Sequence, residues 1–285
     1  MSDAARSVLA SLRELRAVID AGRGEDARFE AELLLRHVLG CSRAWLVAHG
    51  DDALAPPDHA RALALATRRA GGEPIAYILG QREFWSLELS ITPQVLVPRA
   101  ATELLVERAL AHLNDTAPAR VCDLGTGSGA VAIALAVERP RARITASDGS
   151  RAALRVAAAN AARLAPGRID LVAGHWLAPF TERAFDLVVG NPPYVAAGDP
   201  HLRRGDLRFE PPGALVAGTH GLDAILAIAA SAGRCLRAQG HLALEHGAQQ
   251  AEAVRAAFRA AGLVAVRSHR DLAGHERVTE GRARH

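Results

Sequence analysis

The chain reads as an α/β protein: a seven-stranded, mostly parallel sheet covered by helices, preceded by a small all-α bundle and a β-hairpin linker. Three observations carry that reading. Over the second half of the 285 residues, apolar runs of strand length alternate with helical stretches. The first 70 residues instead repeat apolar side chains at helical spacing. Between the two, from Tyr77 to Val97, the pattern shifts to partial strand-like alternation.

Each element follows in order. Val8, Leu12, Leu15, Val18 and Ile19 share one helix face. A second helix is expected over 26–39, stopped by Gly40, a third over 42–49, and a fourth over 57–70, ended by Gly71-Gly72. Short helices with one apolar stripe must pack on each other, so 1–72 is expected to be a small helical domain. Phe84 to Ile91 has strand character, broken by Thr92-Pro93, and 73–98 reads as a β-hairpin linker. The α/β domain is expected over 99–285, opened by a helix near 102–113. Its strands are expected near 120–124, 142–147, 168–173, 185–190, 240–245, 263–268 and 276–281, and its helices near 129–138, 150–164, 222–237 and 248–261. The last two strands leave no room for a helix and should pair antiparallel. Val195 to His220 has little periodicity and is long for a loop, which favours a functional cover or a partner surface.

Composition narrows the classes. Hydrophobic residues make up 49%, enough for a sizeable core, and the net charge is +3. Every basic residue besides histidine is Arg, a bias that fits GC-rich codons better than a functional arginine patch. Cys41, Cys122 and Cys235 form no C-x-x-C pair, so neither a disulfide framework nor a zinc site is indicated. The twelve histidines are dispersed, with His269, His275 and His285 reading as solvated tail residues, and no metal is expected. Met1 to Arg16 is charged and helical in pattern rather than signal-like. No apolar run reaches the about 18 residues of a membrane span. A cytoplasmic, monomeric protein is the expectation.

The chemistry begins at Val121-Cys122-Asp123-Leu124, a strand that runs into Gly125-Thr126-Gly127-Ser128-Gly129 and then a helix-forming stretch from Ala130. Strand, glycine turn and helix open a nucleotide-binding βαβ unit. Asp148 ends the next strand, 23 positions after Gly125, where a carboxylate accepts from both ribose hydroxyls. A dinucleotide turn would read G-x-G-x-x-G; here the third glycine comes one residue early. That form resembles S-adenosylmethionine-dependent methyltransferases of the Rossmann-like class, and the cofactor expected is S-adenosyl-L-methionine.

Asn191-Pro192-Pro193-Tyr194 leaves the carboxyl end of the strand Phe185 to Gly190, the sheet edge where such folds bind ligands. The bland reading is an Asn-Pro turn without chemistry. The functional reading rests on two acceptors, the Asn191 side-chain oxygen and the Pro192 carbonyl, aimed at one planar NH2 group. They would orient its nitrogen toward a reacting carbon. Tyr194 would flank the group and exclude water. Asp186 and Glu210 are candidates for secondary roles, with solvation or capping the simpler reading of each.

Together the motifs resemble the bacterial protein-glutamine methyltransferases that modify peptide chain release factors. Gly72 to Gly80, Arg82 to Trp85, Val97-Pro98-Arg99 with Thr102-Glu103, Asp123 to Gly129, Asn191 to Tyr194, Arg208 to Pro211, Leu244 to Gly247 and Glu276-Arg277-Val278 fall in register. The resemblance implies a class I methyltransferase domain, a release factor as protein partner, and the glutamine of its Gly-Gly-Gln loop as target. It implies that Gly125 to Gly129 and Asp148 bind cofactor and that Trp176 packs near the adenine. It also implies that Asn191 lies between cofactor and substrate, with Asn191 to Tyr194 holding the glutamine. Two departures stand out: Ala100-Ala101 where the family has Pro-Asp, and His175 where it often has Asp. With Asp missing there, Thr102 is the remaining candidate to cap the following helix. Three other readings stay open: glutamine methylation of a large-subunit ribosomal protein, adenine-amino methylation of nucleic acid, and a non-catalytic binding module. No dense basic stripe or aromatic platform favours nucleic acid.

Overall fold

Helix α1 (Val8–Ala21) buries Val8, Leu15 and Ile19, the stripe read from the sequence. Asp26 caps α2 (Ala27–Leu39) by accepting from the Phe29 amide, and Gly40 ends it in the left-handed conformation. Ser42 caps α3 (Arg43–Ala48) in the same manner. Helix α4 (Pro56–Ala70) starts on proline and stops at Gly71, and α5 (Ile75–Leu79) runs between Pro74 and Gly80. The computed structural model describes residues 6–21 and 26–284. The expectations for the first five residues and for His285 fall outside them.

The chain divides into two compact units. One comprises Met1–Gly80 together with His201–Phe209, the other Gln81–Pro200 with Glu210–His285. In the helical unit, Leu15, Ile19, Leu34, Leu35, Ala62 and Ala66 form the core. Arg69 ties it together, donating to Glu30 at 2.9 Å and to Asp206 at 2.9 Å. Thus the long segment after the Asn-Pro-Pro-Tyr turn is split. Its middle belongs to the helical unit, while Val195 bridges Val216 in the other.

The second unit begins with a hairpin of β1 (Gln81–Phe84) and β2 (Leu87–Ser90). It is shorter than the sequence pattern suggests, because Pro74 and Gly80 set Tyr77 to Leu79 in a helix. Trp85 and Ser86 turn the hairpin at positive φ, 54° and 56°. Their amides are held by the Glu103 and Glu83 carboxylates, which offsets a conformation unusual for bulky residues.

Helix α6 (Glu103–Leu110) leads to the sheet: β3 (Arg120–Leu124), α7 (Ala130–Glu138), β4 (Arg143–Asp148), α8 (Arg151–Leu164), β5 (Ile169–Ala173) and β6 (Phe185–Gly190). Then come α9 (Pro212–Leu215), α10 (Asp223–Cys235), β7 (Leu236–Glu245), α11 (Ala251–Ala260), β8 (Val264–Arg270) and β9 (Glu276–Arg282). The strand order is β5-β4-β3-β6-β7-β9-β8, with β9 antiparallel to both neighbours. β7 starts earlier than expected and breaks stride at Gln239 (φ 64°), where its register with β6 shifts. Leu124, Val188, Leu242 and Leu244 of the strands pack on Ile225, Ile228, Val254 and Phe258 of α10 and α11. The order reverses between β3 and β6, so the carboxyl ends of those strands flank the crevice where ligands bind in such sheets.

One sequence reading fails here. His269 is not a tail residue: it lies in β8 with its Nε2 3.1 Å from Glu280 of β9. The antiparallel pairing sets it, half-buried, against a carboxylate.

Candidate active site

β3 carries Asp123 into the interior at 2% exposure. Its Oδ2 accepts from the Thr126 hydroxyl at 2.6 Å and the Ala132 amide at 3.2 Å, clamping the glycine turn to the start of α7. Burial pushes its carboxyl up to about 7, with the Asp148 charge adding to the rise and those two donors opposing it. Gly125, Gly127 and Gly129 all hold positive φ, which L side chains rarely adopt. Asp148 reaches across from β4 and accepts from the Gly127 amide at 3.0 Å and the Ser150 amide at 2.7 Å. Asn160 of α8 is fully buried and donates to both the Ser128 and Ser90 carbonyls at 2.9 Å. It fastens the turn to the hairpin.

A cavity of about 430 Å³ opens beside this turn. Gly125, Gly127, Asp148, Trp176, Asn191 and Pro193 line it, with His175 beside Trp176. Thr126 and Ser128 are buried beneath the turn, and Thr126, Ser128, Gly129, Pro192 and Tyr194 are not among its lining residues. The Trp176 ring lies over Gly125, 3.4 Å from where a Cβ would stand, so any larger residue there would crowd the aromatic wall. The size suits one small-molecule ligand.

On the other side, β6 delivers Asn191 to the cavity. Its Nδ2 donates to Thr102 Oγ1 at 3.2 Å, while its buried Oδ1 has no hydrogen-bond partner. Tyr194 turns back and donates to Glu245 Oε1 at the end of β7, 3.3 Å away. Burial and the adjacent Glu245 raise the Tyr194 phenol well above its ordinary value. Gln250 closes the turn from below, accepting from the Gly247 amide at 2.8 Å and donating to the Tyr194 carbonyl at 2.9 Å.

Two sequence readings are corrected at this site. Thr102 does not cap α6: a 3₁₀ turn over Ala100–Thr102 runs straight into the helix, Thr102 is already helical (φ −70°), and its hydroxyl serves Asn191. Glu210 is not solvated: it is buried and ion-paired with Arg99. Asp186 does keep a capping role at the opposite end of β6, accepting from the Arg120 amide at 2.8 Å. Asp123, Asn160, Glu245 and Gln250 carry the local geometry, and Asn160, Glu245 and Gln250 do so through partners more than 30 residues away. Only the motif membership of Asp123 and Glu245 marked them in the sequence.

Known proteins bear on this geometry. A family model described as "PrmC N-terminal domain" matches residues 11–80, and one described as "Methyltransferase small domain" matches residues 99–204. Release factor glutamine methyltransferase of Xylella fastidiosa (strain Temecula1) is 48% identical over 266 residues, covering 93% of this chain and 97% of the relative. The Bordetella pertussis enzyme of the same name is 52% identical, covering 89% and 94%. That of Escherichia coli K12 is 46% identical, covering 95% and 97%. A methyltransferase structure from Pyrococcus furiosus shares the fold, with a TM-score of 0.53 at 16% identity over 70% of this chain and 90% of that one. With identity near one half sustained over nearly the full length of each relative, the chain belongs to the release factor glutamine methyltransferase family.

Proposed function

We propose that the protein methylates the side-chain amide nitrogen of the glutamine in the Gly-Gly-Gln loop of peptide chain release factors, with S-adenosylmethionine as methyl donor. One observation supports this most: Asn191 Oδ1 is buried at the cavity wall without a partner while its own NH2 is held by Thr102. A buried acceptor left unpaired costs about 1–3 kcal/mol, so the site is built for an incoming donor. A carboxamide NH2 fits it.

The lining suits the cofactor. Asp148 spends only part of its acceptor capacity on the turn, leaving lone pairs for ribose hydroxyls. Gly125 and Gly127 allow close backbone approach, and Trp176 offers a flat apolar wall for a purine. Thr126, Ser128 and Gly129 shape the turn. When bound, S-adenosylmethionine supplies a methyl group on an electrophilic sulfonium.

The protein's task is orientation. Asn191 Oδ1 and the Pro192 carbonyl accept the two amide hydrogens of glutamine. That grip favours the pyramidal nitrogen of the transition state over the planar ground state. Pro193 bounds the pocket, and Tyr194 backs it in the same turn and limits water. Holding nitrogen in line with the methyl carbon replaces a bimolecular encounter by a fixed geometry. The proton leaves the alkylated nitrogen after transfer, without a dedicated base. We assign recognition of the factor to the helical domain (1–72) and its linker (73–98), and transfer to 99–285. On this reading the protein works in the cytoplasm as a monomer. Among the described residues, no helix is long and apolar enough to cross a membrane.

The test incubates the protein with labelled cofactor and purified release factors and maps the modified residue by mass spectrometry. The expected label is on the loop glutamine of an intact factor, with a short loop peptide much poorer. Labelling of a ribosomal protein or of adenine instead would replace the assignment.

A further inference from the structure

Glu245 has no part in the chemistry above, yet it is 1% exposed at the carboxyl end of β7, directly behind the gripping turn. Tyr194 donates to its Oε1, and its Oε2 is buried without a partner. Thr102, Asn191 and Arg277 also face it, and Arg99 lies near Tyr194. Thr102 is the neighbour that most stabilises its charge.

A hydroxyl has one hydrogen to give. Beside an anionic carboxylate, the Thr102 hydrogen turns toward Glu245, and the Thr102 oxygen is left to accept. It accepts from Asn191 Nδ2 at 3.2 Å. The carboxamide of Asn191, a cavity-lining residue, is thereby fixed with its NH2 on Thr102 and its Oδ1 left free to accept. Without the carboxylate charge, the hydroxyl is free to turn and donate to Asn191. The carboxamide then flips, and an NH2 group meets the NH2 group of the substrate.

We propose that Glu245 is a positioning residue for methyl transfer: acting through Thr102, it sets the orientation of the Asn191 carboxamide, and through Tyr194 it braces the turn that carries Asn191. This rests on the glutamine-methylating reading above. Burial lifts the Glu245 carboxyl to about 7, while the Thr102 and Tyr194 hydroxyls, the Arg277 charge and Asn191 oppose the rise. The orienting anion therefore predominates on the alkaline side of neutrality.

The test is single-turnover methylation of a release factor at saturating cofactor, with cofactor affinity by calorimetry and folding by thermal unfolding. Glu245→Gln is expected to lower turnover about 10²-fold, the usual loss for a misaligned transition-state contact, while cofactor affinity stays within about twofold. Thr102→Val should give the same loss, and the double variant should be no worse than either, because one orienting chain is cut twice. Wild-type turnover should rise from about pH 6 to about pH 8, and the Glu245→Gln rate should stay flat. Glu245→Gln turnover within about threefold of wild type, or losses that add in the double variant, would overturn the proposal. If Glu245→Gln does not fold, Thr102→Val decides alone, with near wild-type turnover the refuting result. A wild type that labels no factor refutes the parent reading instead, so the two failures are separable.

Discussion

Asp123 on β3 and Glu280 on β9 are two carboxylates of one sheet, 2% and 3% exposed, and their charges are handled in opposite ways. Asp123 is held by a hydroxyl and a backbone amide, and burial prevails: its carboxyl rises to about 7. Glu280 is also desolvated, yet its carboxyl falls well below the ordinary range, because His112, Arg267 and His269 surround it. Arg108 adds a further contact. Similar solvent exposure therefore does not dictate charge; depth of burial and the donors together do. Neutral donors shape a ligand-binding turn, while arginine and histidine donors lock α6 to the edge strand β8 and its neighbour β9. The middle of the sheet is organised for function and its β9-β8 flank for stability.

Four substitutions break or sharpen that contrast. Asn191→Ala should strike hardest at the functional centre: turnover falls about 10²–10³-fold with cofactor binding and thermal unfolding kept. Calorimetry beside single-turnover methylation checks it, and equal losses in both would remove the assigned role. Glu280→Gln should do the reverse. It removes the charge that accepts from Arg267 and His112 and should cost about 2 kcal/mol in urea unfolding, with little change in turnover of folded protein. Because the folded Glu280 carboxyl is depressed, its contribution is present above the unfolded carboxylate value and lost in acid. The gap between wild type and variant should thus narrow below about pH 4. Asp148→Ala should weaken cofactor binding by about 10–100-fold, roughly 1.4–2.8 kcal/mol, and unchanged affinity would take Asp148 out of the site. Asp123→Asn should act least on turnover and chiefly on the slope of stability against pH. The raised carboxyl of Asp123 stabilises fully below about pH 4, and that contribution is lost as pH rises through about 7. An asparagine does not titrate, so stability against pH should flatten across that window; an unaltered slope would contradict the assigned protonation.

The alternation of strands and helices was legible because periodicity is local: β3, β6 and α8 lie within a residue of where the pattern put them. The five-residue helix α5 was not, since so short a segment has no period to read. Gly125 to Gly129 and Asn191 to Tyr194 were visible as motifs, because backbone turns demand particular residues. Thr102 was misread as a cap, since its real partner, Asn191, lies 89 residues away. Asn160 holding the hairpin and the glycine turn together is a pairing that no local spacing announces.

The sheet order carries one more consequence. β9 follows β8 in the chain yet sits inside it, against β7. A nascent polypeptide emerging from the ribosome can assemble β3 through β7 early, but β8 has no place to dock until Arg282 has been made. Until then the flank of β7 is an open row of amides and carbonyls, the kind of edge that recruits stray strands. Synthesis that stalls between β8 and β9 should yield an aggregation-prone intermediate rather than a smaller working enzyme.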